Sequence, residues 1–321
     1  MKKRRRLKKS VKYFGIGFIV ILILLIILIS SIVKKINYRH SYDYKLSKIG
    51  YSKVEIVEIK KLDEKYIENL LNRKYNKMVV KFIKRKYFIF NNLDEYIKYY
   101  KDSDNDDLDN TISLVNVKAN NDYYDEDIVK NSNINEGNLM LVNKFNKLTN
   151  EYIPNDLVDV SKMYGYGENK LKKEVYENFL NMWNDAKAQN LNLIITSAYR
   201  DYAYQDSLWK NYASSKGDKW ADSVAARAGY SEHQTGLAMD IVTYGSNMDN
   251  FENTNEFKWL NENAYKYGFI MRYPKGKEKI TGYAYESWHY RYVGKKVAKE
   301  IHDKGITYDE YYAYYIENKG K

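Results

Sequence analysis

Two short stretches, Ser231-Glu232-His233-Gln234-Thr235-Gly236-Leu237-Ala238-Met239-Asp240 and Glu286-Ser287-Trp288-His289, hold two of the four histidines in the chain, each within seven residues of a carboxylate. Together these residue types point to a catalytic zinc. Such a zinc takes three protein ligands from His and Asp or Glu, leaves a fourth position to water, and needs a carboxylate nearby to move that water's proton. His233, Asp240 and His289 supply the three ligands and Glu286 the base. The other histidines, His40 and His302, stand alone and read as ordinary hydrogen-bonding residues.

The flanking residues say how these groups are held. Gly236 breaks the chain, and Leu237, Met239 and Ile241 then alternate with Ala238, Asp240 and Val242, the period of a strand. If the Leu237 face packs on the core, Asp240 lines a cleft, and the small Ala238 beside it leaves room for a metal. A spacing of three cannot put Glu286 and His289 on one face of a strand, so Glu286 belongs in the bend before a strand over 288–293. A base placed there approaches the water without ligating the metal. Upstream, Val175, Phe179, Trp183 and Ala186 recur at helical spacing and predict a helix packing on a strand over 193–197. Residues 205–212 and 219–228 read as a helical insertion, Phe257, Leu260, Ala264 and Tyr267 as a further helix, and 295–304 as a closing amphipathic helix. The predicted class is α+β, with the zinc site on an antiparallel sheet flanked by helices.

Ser231-x-His233-x-x-Gly236-x-Ala238-x-Asp240 followed by Glu286-x-Trp288-His289 resembles the signature of the VanY-type D-alanyl-D-alanine carboxypeptidases, within the superfamily that also holds lysostaphin and sonic hedgehog. The family's usual Glu-Pro-Trp-His is Glu-Ser-Trp-His here, a change that loosens the backbone but removes no chemical group. The resemblance extends to Leu193-Ile194-Ile195-Thr196-Ser197-Ala198-Tyr199-Arg200 with Gln205, and to Leu141-Val142-Asn143-Lys144 followed by Tyr152-Ile153-Pro154, so that it covers residues 137–305. It implies that Arg200 meets a substrate carboxylate or a developing oxyanion, a task its planar donor fork suits. Gln205 and Ser231 are candidates for substrate hydrogen bonds, beside a structural reading for each.

Residues 2–12 carry eight Lys or Arg and no acid, and 14–33 form an apolar run broken only by Gly15, Gly17, Ser30 and Ser31. Twenty helical residues span about 30 Å, the thickness of a bilayer's hydrocarbon core. This predicts a cytoplasmic tail (1–13), a transmembrane signal anchor (14–33) and an extracytoplasmic remainder. A cleaved signal peptide is the rival, but no small-x-small site follows the run. The tail accounts for most of the net charge of +11 and leaves +3 for the rest, so the charge is topological and no nucleic-acid partner is expected. The chain has no Cys and hence no disulfide.

Residues 38–136 read as a small α+β accessory module: strands around Val54, Ile56 and Ile59 and around Ile112, Leu114 and Val117, a helix over 62–75, and a further strand or helix region, rich in Tyr and Lys, over 78–100. Its acidic run at 102–109 superficially resembles a calcium loop, but Asp107 replaces the required Gly and Ser113 the bidentate Glu, so a solvated loop is expected. The Tyr-rich tail at 306–321 carries no readable motif. The expectation is a membrane-anchored zinc peptidase; the resemblance makes its substrate the terminal D-alanine of peptidoglycan stem peptides. An L,D-carboxypeptidase, a stem-peptide endopeptidase and a non-catalytic zinc-bearing wall-binding protein are the alternatives. A base three residues before a ligand argues against the last, because a structural zinc needs none.

Overall fold

The computed structural model describes residues 9–103 and 107–318. Residues 1–8 of the expected basic tail, 104–106 of the acidic run and 319–321 lie outside the described residues. The chain forms two compact units, Met1–Leu93 and Asp94–Lys321.

In the first unit the apolar run lies within a single helix, α1 (Lys9–His40), whose segment Ile16–His40 is long and apolar enough to cross a membrane and is unburied along its length. It is followed by α2 (Tyr42–Ile49), α3 (Lys53–Ile59), α4 (Glu64–Leu71) and α5 (Lys77–Ile83). The strand expected around Val54 to Ile59 is instead α3. Ser52 and Glu55 close a capping box on its first turn, and Ile56 and Ile59 are buried while Val54 and Val57 are exposed. That burial follows a spacing of three, so the capping signal outweighed the short run of apolar alternation.

The second unit opens with α6 (Leu93–Asp102) and α7 (Leu108–Asn116). The second expected strand, around Ile112 to Val117, is therefore also a helix. Asp107, from the acidic run, accepts from the backbone N–H groups of Asp109 and Asn110 and so starts α7. Short pairs follow: β1 (Lys130–Asn131) runs parallel to β2 (Asn146–Lys147), and β3 (Leu157–Asp159) antiparallel to β4 (Lys170–Lys172). The regular structure described within 38–136 is thus helical apart from the two residues of β1, in place of the expected α+β module.

The remaining elements are α8 (Lys173–Lys187), β5 (Ile194–Ser197), α9 (Tyr202–Lys216), α10 (Asp218–Val224), β6 (Ala238–Val242), α11 (Asn255–Asn263), β7 (Phe269–Met271), α12 (Glu278–Thr281), β8 (His289–Tyr292), α13 (Lys295–Lys304) and α14 (Tyr308–Tyr312). Four of these strands form an antiparallel sheet in the order β5-β6-β8-β7. One face is apolar. Leu237, Met239, Ile241, Phe269, Tyr290 and Tyr292 form a continuous core with Val175, Phe179, Met182 and Ala186 of α8 and Leu260 of α11. Each such large side chain removed from water contributes about 1.5–3 kcal/mol. The period-two pattern then forces Asp240, His289 and Arg291 onto the opposite face, where none is more than 3% exposed. A sheet with one apolar face and one buried charged face has to satisfy those charges internally.

Candidate metal centre

Register brings the site together. Asp240 and His289 are direct partners across β6 and β8, and Ser197 faces Asp240 from β5, just past a bulge between Ile195 and Ser197. His233 comes from a 3₁₀ turn, Glu232–Thr235, that ends at Gly236 in the left-handed region (φ 67°) before the chain enters β6. The left-handed backbone angle favours glycine there, and a Cβ would also press on the Leu157 side chain, 2.8 Å from its Cδ2.

His233 Nε2 lies 3.4 Å and His289 Nδ1 3.0 Å from Asp240 Oδ1. Donor atoms of the three side chains all lie within 4.8 Å of one another, and all three residues are buried. The nitrogens that face this point are selected by what the opposite ring nitrogens meet. His233 Nδ1 lies 2.6 Å from the carbonyl oxygen of Ala198, and His289 Nε2 lies 3.5 Å from Glu232 Oε2. Two imidazoles, each aimed from outside by a second acceptor, together with one carboxylate fit a divalent metal such as zinc.

Glu286 sits in the irregular segment before β8, as expected, with Oε2 3.8 Å from His289 Nδ1. Burial pushes it up to about 7, helped by Asp240 and opposed by His289 and Arg200. That value suits a group that takes and returns a proton near neutrality. Burial and the Arg200 guanidinium push His233 down to about 4, so it is neutral and ready to ligate. Burial opposes charge on Asp240 as well, but His233 and His289 hold it well below the usual carboxylate range.

Arg200 follows β5. Its Nη1 lies 3.5 Å from Ser197 Oγ, and its Nε is buried with no protein partner among the described residues. Arg200, Ser231, His233, Asp240, Glu286 and His289 share one cleft of about 450 Å³, walled in part by Tyr212, Trp220, Tyr283 and Trp288. Ser231 Oγ accepts from the His233 backbone N–H and so caps the turn that carries this ligand. Gln205 is not brought onto the cleft wall. It is buried on α9, where its amide donates to Ala226 O at 2.7 Å, and Ala226 lines the cleft.

Sequence reasoning did not single out the charges beneath the ligands. Glu232 Oε1 accepts from Arg272 Nε at 2.7 Å and from Arg291 Nη1 at 2.9 Å, and Arg272 pairs with Asp309 through both terminal nitrogens. Burial opposes charge on Glu232, but the two guanidiniums outweigh it and keep the carboxylate ionised. Arg291 was accessible from its spacing, since two residues after His289 on a strand is the same face. Nothing local marks Asp309.

The family model for VanY, D-alanyl-D-alanine carboxypeptidase, matches residues 168–295. The chain is 44% identical over 184 residues to the Bacillus subtilis (strain 168) protein YodJ, whose name is that of a candidate carboxypeptidase, covering 55% of this chain and 67% of the relative. It is 36% identical over 203 residues to a D-alanyl-D-alanine carboxypeptidase of Enterococcus faecium, covering 60% and 63%. The solved structure of the LdcB LD-carboxypeptidase is similar, with 42% identity, a TM-score of 0.55 and coverage of 60% of this chain and 94% of that one. The chain thus spans about two thirds of the length of these curated relatives. Its motifs, its paired strands and these likenesses agree: the chain belongs to the VanY family of D-alanyl-D-alanine carboxypeptidases.

Proposed function

We propose that this chain is a membrane-anchored zinc D-alanyl-D-alanine carboxypeptidase that removes the terminal D-alanine from peptidoglycan stem peptides, with residues 137–305 as its catalytic domain. The observation that carries the reading is Glu286 beside, but outside, the buried His233–Asp240–His289 cluster, all in one open cleft. His233 Nε2, Asp240 and His289 Nδ1 would hold the zinc. When bound, zinc supplies Lewis-acid polarisation and lowers the pKa of water.

Glu286 takes the proton of the attacking water on its carboxylate and passes it to the departing amine nitrogen. Arg200, with a buried Nε that has no protein partner among the described residues, donates to the scissile carbonyl or the free carboxylate of the substrate. Ser231 serves by capping the ligand turn and Gln205 by fixing Ala226 on the cleft wall. A substrate hydrogen bond remains part of the proposal for Ser231, which lines the cleft, whereas Gln205, buried off the cleft wall, acts through Ala226.

The likeness to an LD-carboxypeptidase favours a second reading, removal of D-alanine from a tetrapeptide stem. Incubating the protein with defined penta- and tetrapeptide muropeptides and weighing the products separates the two. Loss of one alanine from the pentapeptide is the expected result. Loss only from the tetrapeptide gives the LD reading, internal cleavage gives an endopeptidase, and no cleavage of either by zinc-loaded protein returns the binding-protein reading.

Glu286→Gln is expected to keep its metal while kcat falls by about 10²- to 10⁴-fold. Because the base must be ionised, parental kcat/KM should decline as pH drops through the Glu286 value of about 7, shifted lower by the charge of a bound metal. Near-parental turnover in the variant would remove Glu286 from the chemistry.

Anchoring through α1 with the N terminus in the cytoplasm rests on the basic flank and the unburied apolar helix. Protease added to intact cells should degrade the catalytic domain while a tag at residue 1 stays protected. A mature protein in the medium that begins near Lys34 would mean cleavage instead.

A further inference from the structure

We propose that Glu232 is a positioning residue for the metal centre, held in place by a buried charge chain that ends at Asp309 on the C-terminal helix α14. The inference rests on the metal reading above and extends it to residues that lie outside the ligand set.

His289 has two ring nitrogens and meets a carboxylate at each, Asp240 at Nδ1 and Glu232 at Nε2. A histidine can give only one nitrogen to a metal in this site, and the acceptor at the other decides which. Glu232 therefore keeps the Nε2 proton and turns Nδ1 toward Asp240 and His233.

Glu232 can do this only if its own carboxylate cannot rotate. Its Oε1 is occupied by both Arg272 Nε and Arg291 Nη1, which leaves Oε2 for His289. The arginines are fixed in turn. Arg291 Nη2 donates to the carbonyl oxygens of Asn138 and Met140, and Arg272 donates to Asp309 at 2.5 and 3.1 Å. Asn143 Nδ2 donates to Asp309 Oδ1 at 2.8 Å, and the Tyr308 ring lies 5.6 Å from the Arg272 guanidinium and 5.2 Å from that of Arg291.

Two carboxylates against two guanidiniums balance, and every member is at most 3% exposed. Replacing one carboxylate by an amide leaves an uncompensated buried guanidinium, a far larger perturbation than the same change at the surface. The apparently motif-free segment after Gly305 would in this way set the aim of a ligand 20 residues earlier in the chain.

The test is zinc affinity, measured by competition with a chromophoric chelator, together with the visible spectrum of the cobalt(II)-loaded protein and thermal unfolding of the apo form. Glu232→Gln is expected to bind zinc about 10- to 100-fold more weakly, the range usual for a partner behind a metal-bound histidine. Asp309→Asn should weaken binding several-fold, and both variants should shift the cobalt spectrum. Phe179→Leu, a core change in α8 on the apolar face of the sheet opposite the chain of charges, serves as the stability control and should leave affinity and spectrum unchanged.

If the variants do not fold, the long-range ¹H–¹⁵N spectrum of the zinc-loaded parent decides, with the His289 Nε2 proton expected to be shifted downfield and protected from exchange by its carboxylate acceptor. An Nε2 proton that exchanges as freely as one facing water, or folded Glu232→Gln and Asp309→Asn that keep the parental affinity and spectrum, would overturn the proposal. A parent that binds no zinc would instead overturn the metal reading on which it rests.

Discussion

The cross-strand pairing of Asp240 with His289 is the constraint from which the rest of the site follows. Because β6 and β8 put these residues opposite each other, a carboxylate and an imidazole are delivered to one point by backbone register rather than by loop conformation. The same alternation drives Leu237, Met239 and Ile241 into the core that α8 covers. A slip of one residue in this register would expose the core and bury the wrong side chains together. The apolar face thus stabilises the geometry that the polar face uses.

Charge on the polar face then dictates much of what surrounds it. Glu232, Arg272, Arg291 and Asp309 are buried and mutually paired, and they draw together a 3₁₀ turn, two strand ends and the C-terminal helix. Buried pairs of this kind add little net stability over apolar substitutes, yet losing one partner is costly. Their use here is geometric, since they stand directly behind a candidate metal ligand. On the cleft side Glu286 is also buried, but among the described residues no guanidinium forms an ion pair with it and Arg200 only partly offsets its burial, so it is pushed up to about 7 while Glu232 stays ionised.

The local parts of this site were legible in the sequence. Period-two alternation placed Asp240, the spacing of three kept Glu286 off the strand, and the strong helical stripe of Val175, Phe179 and Ala186 identified α8. Around Val54 a few alternating apolar residues fit a strand as well as a short helix, and the Ser52–Glu55 capping box decides for the helix. Around Ile112 the apolar residues fit a strand or a helix equally, and Asp107 decides for the helix by capping its first turn. Asp309 is a different case: its partner Arg272 is 37 residues away and joins it only through tertiary packing, so no local pattern could have paired them.

The claim on which the account turns is that the buried cluster is a metal centre built from two histidines and one aspartate. X-ray absorption spectroscopy at the zinc edge of the metal-loaded protein tests it most directly. One zinc per chain is expected, with a nitrogen and oxygen shell at about 2.0–2.1 Å and outer-shell scattering from two imidazoles. In Asp240→Ala and His289→Ala the bound zinc should be lost. A spectrum with no imidazole scattering, or an unchanged spectrum when either ligand is removed, would contradict it.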